Sequence, residues 1–446
     1  MASWKLVTFL AVAVSCTSAL EVRHVRSSRV SAASTTELPT APFSIALTDK
    51  APRSSYKKQL LRELRSGGKS KTAVVDGSGD DEEYLTDIVV GGQSFKVIVD
   101  TGSSDTWLAD KGFKCFTLDN SPQPAADCFF GTTGFDTSKS KTFVPLPDTN
   151  FNISYGDGEF LTGSVGFDTV TVGGLTVTRQ EIGVVTAAAW EGDSINTGLM
   201  GLAFPDLTSV YNGSNPDLDG ADNSLPYNPF FFSAVQQKAV STPVFSVALN
   251  RGTFAHQANT TFDPDLGFLA FGGIAPVAVT KRSATVPVQG FATSSGGSEF
   301  FYYAVDIDAL VFPGSTAKTT IKAPTIIDTG TTLNYVPTNI AKAFNARFDP
   351  PATFVEDEDT YYVDCNATAP AFSAKIGGVE FAVDGRDQIL PFLDENNDLV
   401  CISGTQDGGP DEDDTIFIFG DVFLHNVVAT FDISKNDIIL TERASY

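Results

Sequence analysis

The 446-residue chain is poor in basic side chains: 30 Lys plus Arg stand against 54 Asp plus Glu, a formal charge of −24. A protein that grips phosphates needs a basic footprint, so a nucleic-acid partner is excluded. Long apolar runs are missing as well. The stretch Leu6–Val14 covers nine residues, well short of the roughly 20 that cross a bilayer. The end, NDIILTERASY, lacks the hydrophobic tail of a lipid-anchor signal, so no membrane anchor is expected. Histidines number three, and none of His24, His256 or His425 is placed for a Ser-His-Asp triad. The five cysteines include no CxxC pair and no flanking histidines, which argues against zinc. The acidic runs 356–359 and 411–414 lack the glycine-interrupted spacing of a calcium loop and read as solvated. No metal and no cofactor is expected. Charged residues are few (19%) and apolar ones sufficient (42%), so wholesale disorder is excluded too.

What is present begins with a leader. Residues 1–19 carry Lys5, the apolar stretch, and then the small residues Cys16, Thr17, Ser18 and Ala19. This reads as a secretory signal cut after Ala19, and the product as secreted, extracellular and soluble. Residues 20–80 follow with a net charge of +5, whereas 81–446 carry −30. A basic arm on an acidic body reads as a segment held there by charge. Within it, 54–64 has a Ser cap and Leu60, Leu61 and Leu64 at helical spacing.

With Cys16 removed, Cys115, Cys128, Cys365 and Cys401 remain. In an oxidising compartment they allow three pairings, of which sequence proximity favours Cys115–Cys128 and Cys365–Cys401. Asn152, Asn212, Asn259 and Asn366 stand in glycosylation sequons.

Beyond residue 81 the chain reads as all-β dominated. Runs at 85–90, 95–99, 167–172, 245–249 and 415–419 are punctuated by Gly, Pro, Asn and Asp, and helical candidates are few, notably 229–237 and 338–346. A repeat then stands out. ValIleValAspThrGlySerSer (97–104) recurs as ThrIleIleAspThrGlyThrThr (325–332). Each copy is followed at long range by two apolar residues and a glycine, at 199–201 and 418–420. Two halves with the same order of parts imply a duplicated lobe, and the halves are expected at 81–264 and 265–446.

An Asp at the end of a buried strand carries a large desolvation cost. A following Gly lets backbone N–H groups turn toward the carboxylate, and a hydroxyl further on can donate as well. One such loop is a turn. Two, one per lobe, imply carboxylates that meet and share a proton, one acting as base on a water while the other donates to substrate.

On these motifs, with AspThrGlySerSerAspThrTrp (100–107), TyrGlyAspGly (155–158) and PheGlyAspValPheLeu (419–424), the chain resembles the pepsin-like (A1) aspartic endopeptidases, in the style of the fungal secreted enzymes. The resemblance covers about 81–446 and implies a bilobed pepsin-like fold of two related β-barrel-like lobes with the active-site cleft between them. It implies Asp100 and Asp328 as the catalytic dyad, Ser103 and Thr331 as hydroxyl donors to it, and Gly102 and Gly330 as the loop glycines. Tyr155, Gly156 and Asp157 match the flap over the substrate, Trp107 the partner of its tyrosine, and Leu199 the wall of a pocket. It implies cleavage between bulky apolar residues, with Asp157 admitting Lys on the acyl side by charge pairing. Glu159 departs from the pattern, since Ser is usual there. The arm becomes an inhibitory propeptide with a first strand over 44–48 and a blocking Lys among Lys57, Lys58, Lys69 and Lys71. The partners implied are protein and peptide substrates and the chain's own propeptide, with pepstatin sensitivity and a monomeric state. Two other readings, a pepsin-like binding protein without activity and a carboxylate-pair glycosidase, are disfavoured: both Asp-Thr-Gly loops are intact, and duplicated loops with a flap tyrosine have no role in glycoside chemistry.

Overall fold

The computed structural model describes residues 24–25, 38–50, 83–131, 133–155, 158–252, 262–263, 265–292, 297–312, 320–356, 358–393, 399–412 and 415–446. The expected signal, the 54–64 helix, the four candidate blocking lysines, Gly156, Asp157 and Asn259 lie outside them. Strands account for 47% of the structure and helices for 11%, so the chain is mostly β as expected. Among the described residues no helix is long and apolar enough to cross a membrane.

Strand β1 (Phe43–Ala46) lies close to the run expected at 44–48. The next strands are β2 (Leu85–Val90) and β3 (Gln93–Asp100), joined by Gly91-Gly92, both at positive φ as a tight two-residue hairpin turn requires. After them come β4 (Thr106–Phe116), β5 (Thr149–Ser154), β6 (Phe160–Val172), β7 (Leu175–Ala189) and β8 (Gly198–Gly201). The hydrogen-bonded order β2-β3-β8-β4-β7-β6 closes on itself through β6 and β2, giving a barrel. Alternating residues such as Val97, Val99, Val170 and Val172 fill its interior.

Helix α1 (Phe230–Gln236) buries Phe230 and Phe231 and leads to β9 (Val244–Leu249), β10 (Gly267–Phe271) and β11 (Val279–Pro287). The second half repeats the first in outline. It holds β12 (Thr325–Ile327), β13 (Asn334–Val336), α2 (Thr338–Asn345), β14 (Phe417–Phe419), α3 (Asp421–Leu424), β15 (Val427–Asp432) and β16 (Asp437–Arg443). In each half the apolar–apolar–Gly segment runs parallel to the Asp-bearing strand and antiparallel to the strand after it. β8 does so between β3 and β4, and β14 between β12 and β13. The sequence repeat is therefore a repeat of topology.

A six-stranded sheet, β11-β16-β15-β9-β10-β1, joins the halves. Strands β9 and β10 pair directly with each other within it. Beside the sheet, His425 caps the end of α3. Its Nε2 lies 2.6 Å from the Tyr84 hydroxyl and its Nδ1 3.2 Å from Asp387, which Arg251 also pairs at 2.6 Å. These contacts tie the start of the body to its last third.

The sheet packs through aromatic rings. Phe431 stacks on Phe245 at 4.6 Å and meets Tyr303 at 4.5 Å, with all three rings buried. Phe431→Ala leaves a cavity between the halves and is expected to cost about 3–5 kcal/mol. Denaturant unfolding checks this; a loss below about 1 kcal/mol would mean that the site collapses to fill the space.

Candidate active site

Asp100 ends β3 and Asp328 follows β12, and both are buried, at 6% and 0% exposure. Their donors are those expected from the sequence. The Gly102 N–H donates to Asp100 Oδ1 at 2.6 Å and the Ser103 hydroxyl to Oδ2. In the second turn the Gly330 N–H donates to Asp328 Oδ1 at 2.9 Å and the Thr331 hydroxyl to Oδ2 at 2.7 Å. The glycines are needed for a further reason. A Cβ on Gly102 would lie 2.6 Å from the Asp328 carboxylate carbon, and one on Gly330 would lie 2.5 Å from Asp100 Oδ1. Each loop is thus bare where the opposite carboxylate enters it.

Two residues missed in the sequence hold the loops together. The Thr101 hydroxyl donates to the Ile327 carbonyl at 3.0 Å and accepts from the Thr329 N–H at 3.0 Å. Thr329 reciprocates, donating to the Val99 carbonyl at 2.8 Å and accepting from the Thr101 N–H at 3.1 Å. The signal was available: Thr is identical in both copies of the repeat, beside Asp and Gly.

The pairing sets the charge. Burial raises the Asp100 carboxyl above its ordinary range, opposed by the Ser103 hydroxyl and the Gly102 N–H. Burial and the facing charge of Asp100 lift Asp328 well above its own. Such a pair retains one proton between two carboxylates and titrates as a unit.

β5 and β6 form a hairpin whose near end is closed by the Tyr155 N–H on the Glu159 carbonyl at 2.8 Å. The Tyr155 hydroxyl accepts from Trp107 Nε1 at 2.8 Å, the contact expected for these two residues. Leu199, on β8, is buried opposite Trp107 in the strand register. Trp190, which sequence reading passed over, stands edge-on to Trp107 at 5.1 Å and to Tyr155 at 5.8 Å.

A family model for eukaryotic aspartyl protease matches residues 83–443. The chain belongs to this family. It is similar to a probable aspartic-type endopeptidase of Aspergillus fumigatus, with 34% identity over 97% of each chain. It is 30% identical to rhizopuspepsin-4 of Rhizopus niveus over 81% of this chain and 78% of that one, and 30% identical to endothiapepsin of Cryphonectria parasitica over 82% and 76%. In fold it is similar to an aspartic proteinase from Irpex lacteus, with a TM-score of 0.62 and 19% identity over 90% of this chain and 97% of that one. The protein is a pepsin-like aspartic endopeptidase.

In this aspartyl protease both disulfides join the cysteines nearest in sequence, Cys115 to Cys128 and Cys365 to Cys401. Of the sequon residues, Asn212 and Asn366 are exposed. The Asn152 amide donates to the Pro216 carbonyl at 3.1 Å and to Asp219 Oδ2 at 3.0 Å, bonds with which a glycan on that nitrogen would compete.

A second acidic site lies behind the first loop. Asp105 is buried, accepts the Tyr227 hydroxyl at 2.8 Å, and receives the Ser209 N–H on both oxygens. Burial outweighs these donors and pushes its carboxyl up to about 6. Burial and the charge of Asp105 push Glu181 up to about 7. These groups bind more protons folded than unfolded, so stability falls as pH rises from about 4 to 7. At the other end, hydrogen bonds from Lys111 and Ser138 hold Asp136 down to about 2. Burial pushes Asp387 up, but His425 and Arg251 outweigh it and hold it to about 2. Carboxyls held low lose their contribution as pH falls from about 4 toward 2. The protease is expected to melt highest near pH 4, and Asp105→Asn to flatten the decline between pH 4 and 6. Melting curves at unit pH intervals check both, and a decline of unchanged slope in the variant would remove Asp105 as its source.

Proposed function

We propose that Asp100 and Asp328 are the catalytic pair of a secreted aspartic endopeptidase, made as a zymogen and active at acid pH. The observation that carries the reading is the meeting of two carboxylates, from two equivalent turns, in a buried seam beside the flap tyrosine. The ionised member takes a proton from a water held by both, and the resulting hydroxide adds to the substrate carbonyl carbon. The protonated member gives its proton to the carbonyl oxygen, forming a neutral diol. Collapse of the diol breaks the C–N bond as the carboxyl proton passes to the leaving nitrogen and a diol hydroxyl gives its proton to the ionised carboxylate, so the pair ends with one shared proton, as it began. Gly102, Ser103, Gly330 and Thr331 fix the carboxylates, while Tyr155, Gly156, Asp157, Trp107 and Leu199 form the flap and substrate pocket.

Protein and peptide substrates with bulky apolar residues at the cut bond suit the apolar lining. Asp157 supplies a carboxylate for Lys on the acyl side. The segment 20–80, net +5 against a −30 body, acts as the intramolecular inhibitor. Its strand β1 pairs antiparallel with β10 and buries Leu47 beyond it, giving the arm an anchor of its own. Acid protonates body carboxylates, weakens the attraction and frees the cleft. The protease works as an extracellular monomer, glycosylated at its exposed sequons.

Incubation of the processed enzyme with a mixed peptide library at pH 3–5 is expected to give cleavage that pepstatin blocks. Asp100→Asn and Asp328→Asn are each expected to lower kcat/KM by at least about 10³-fold; retained activity in either would sink the dyad. Asp157→Ser is expected to lose cleavage after Lys selectively while cleavage after Phe and Leu persists. An unchanged Lys share among the products would refute that charge pairing.

A further inference from the structure

Glu159 lies one residue beyond the second flap glycine, on the returning side of the hairpin. Although it is an acid, it is buried, at 9% exposure. Its Oε1 accepts the backbone N–H of Glu191 at 2.7 Å, across 32 residues of sequence. Glu191 follows Trp190 in the connection between β7 and β8, so the bond fixes the backbone next to the indole that packs on Tyr155 and Trp107.

The same connection is tied down on its other side. The Gly192 N–H donates to the Cys128 carbonyl at 3.2 Å and the Ser194 N–H to the Phe129 carbonyl at 2.5 Å, anchoring it to the segment that the Cys115–Cys128 disulfide holds. Phe130, in that segment, stacks on Trp190 at 6.0 Å with planes 7° apart. A Cβ at Gly192 would lie 2.7 Å from the Phe129 carbonyl, so the approach leaves no slack. Trp190 is therefore held between the disulfide segment and the flap, and the Glu159 carboxylate makes the bond on the flap side.

We propose that Glu159 is a positioning and specificity-determining residue: by holding the Glu191 backbone to the hairpin, it fixes Trp190 beneath Tyr155 and sets the apolar wall against which the substrate side chain packs. The inference rests on the cleft being the substrate site. A serine, two bonds shorter, could not span to the Glu191 N–H, so a side chain of this length ending in an acceptor oxygen is what this connection requires.

The test compares Glu159→Ala and Glu159→Gln, since Gln keeps an oxygen that accepts the Glu191 N–H. On peptides differing only in Phe or Ala on the acyl side, the ratio of kcat/KM values is immune to a loss of folded enzyme, which scales both alike. E159A is expected to shift that ratio by about tenfold, the effect of losing one buried hydrogen bond, and E159Q to restore it to within about threefold. A ratio unmoved in E159A, or moved equally in E159Q, would overturn the proposal. Intrinsic fluorescence supplies a readout that needs no catalysis. Trp4 apart, the chain's tryptophans are Trp107 and Trp190, so emission reports this cluster. It is expected to shift in E159A and not in E159Q; unchanged emission in E159A would also overturn the proposal. If the parent enzyme cuts no peptide, the cleft reading fails, and fluorescence alone then decides the contact.

Discussion

The four hydrogen bonds that Thr101 and Thr329 make across the seam hold this structure at its centre. Each threonine uses its hydroxyl to donate across the seam and to accept the other's backbone N–H. All four partners are buried, so water cannot replace a lost bond and each defect would carry its full desolvation cost. The consequence is positional. With Val99 and Ile327 bonded crosswise, the strands that end in Asp100 and Asp328 are held in register. The loops can then present bare glycine backbone to each other's carboxylates. The acidity of the site follows from that closeness, since two carboxylates brought together in a dry seam cannot both be charged.

Around this centre the chain uses one arrangement twice. A strand bearing the aspartate, a turn, a second strand and a later apolar strand threaded between them occur in both halves. One threaded strand ends in Gly201 and the other is followed by Gly420, where a Cβ would meet the Ser104 backbone at 2.5 Å and the Thr331 carbonyl at 2.0 Å. Side-chain-free positions therefore recur wherever two backbones must cross near a carboxylate. The halves differ in what surrounds this frame. The first closes into a barrel and carries the hairpin with Tyr155, whereas the second spreads over smaller sheets.

Much of this was legible because it lies in local pattern. Short apolar runs bounded by turn residues marked the strands, 85–90 to the residue and 245–249 one residue short of Val244–Leu249, and the doubled Asp-Thr-Gly marked the carboxylates and their hydroxyl and backbone donors. What escaped depends on distant segments meeting. Thr101 and Thr329 look like ordinary turn residues until the two turns face each other. Trp190 lies 83 residues beyond Trp107, and no periodicity links them. Glu159 stood out in the sequence as a departure from pattern, but its partner is a backbone N–H, which carries no mark in a sequence. The sheet joining the halves was invisible for a similar reason: β1 and β16 belong together only through the strands between them.

That sheet also bears on the order in which a ribosome releases the chain. The first barrel has all its strands once residue 201 has emerged, and it can close while the remainder is still being made. Asp328 follows more than a hundred residues later, and the sheet that braces the two halves waits for residues 427–443. A partly synthesised chain therefore holds one carboxylate in a finished barrel and no partner for it. On the proposed reading, that chemistry waits until translation is nearly done, because the fold divides the carboxylate pair between an early and a late product of synthesis.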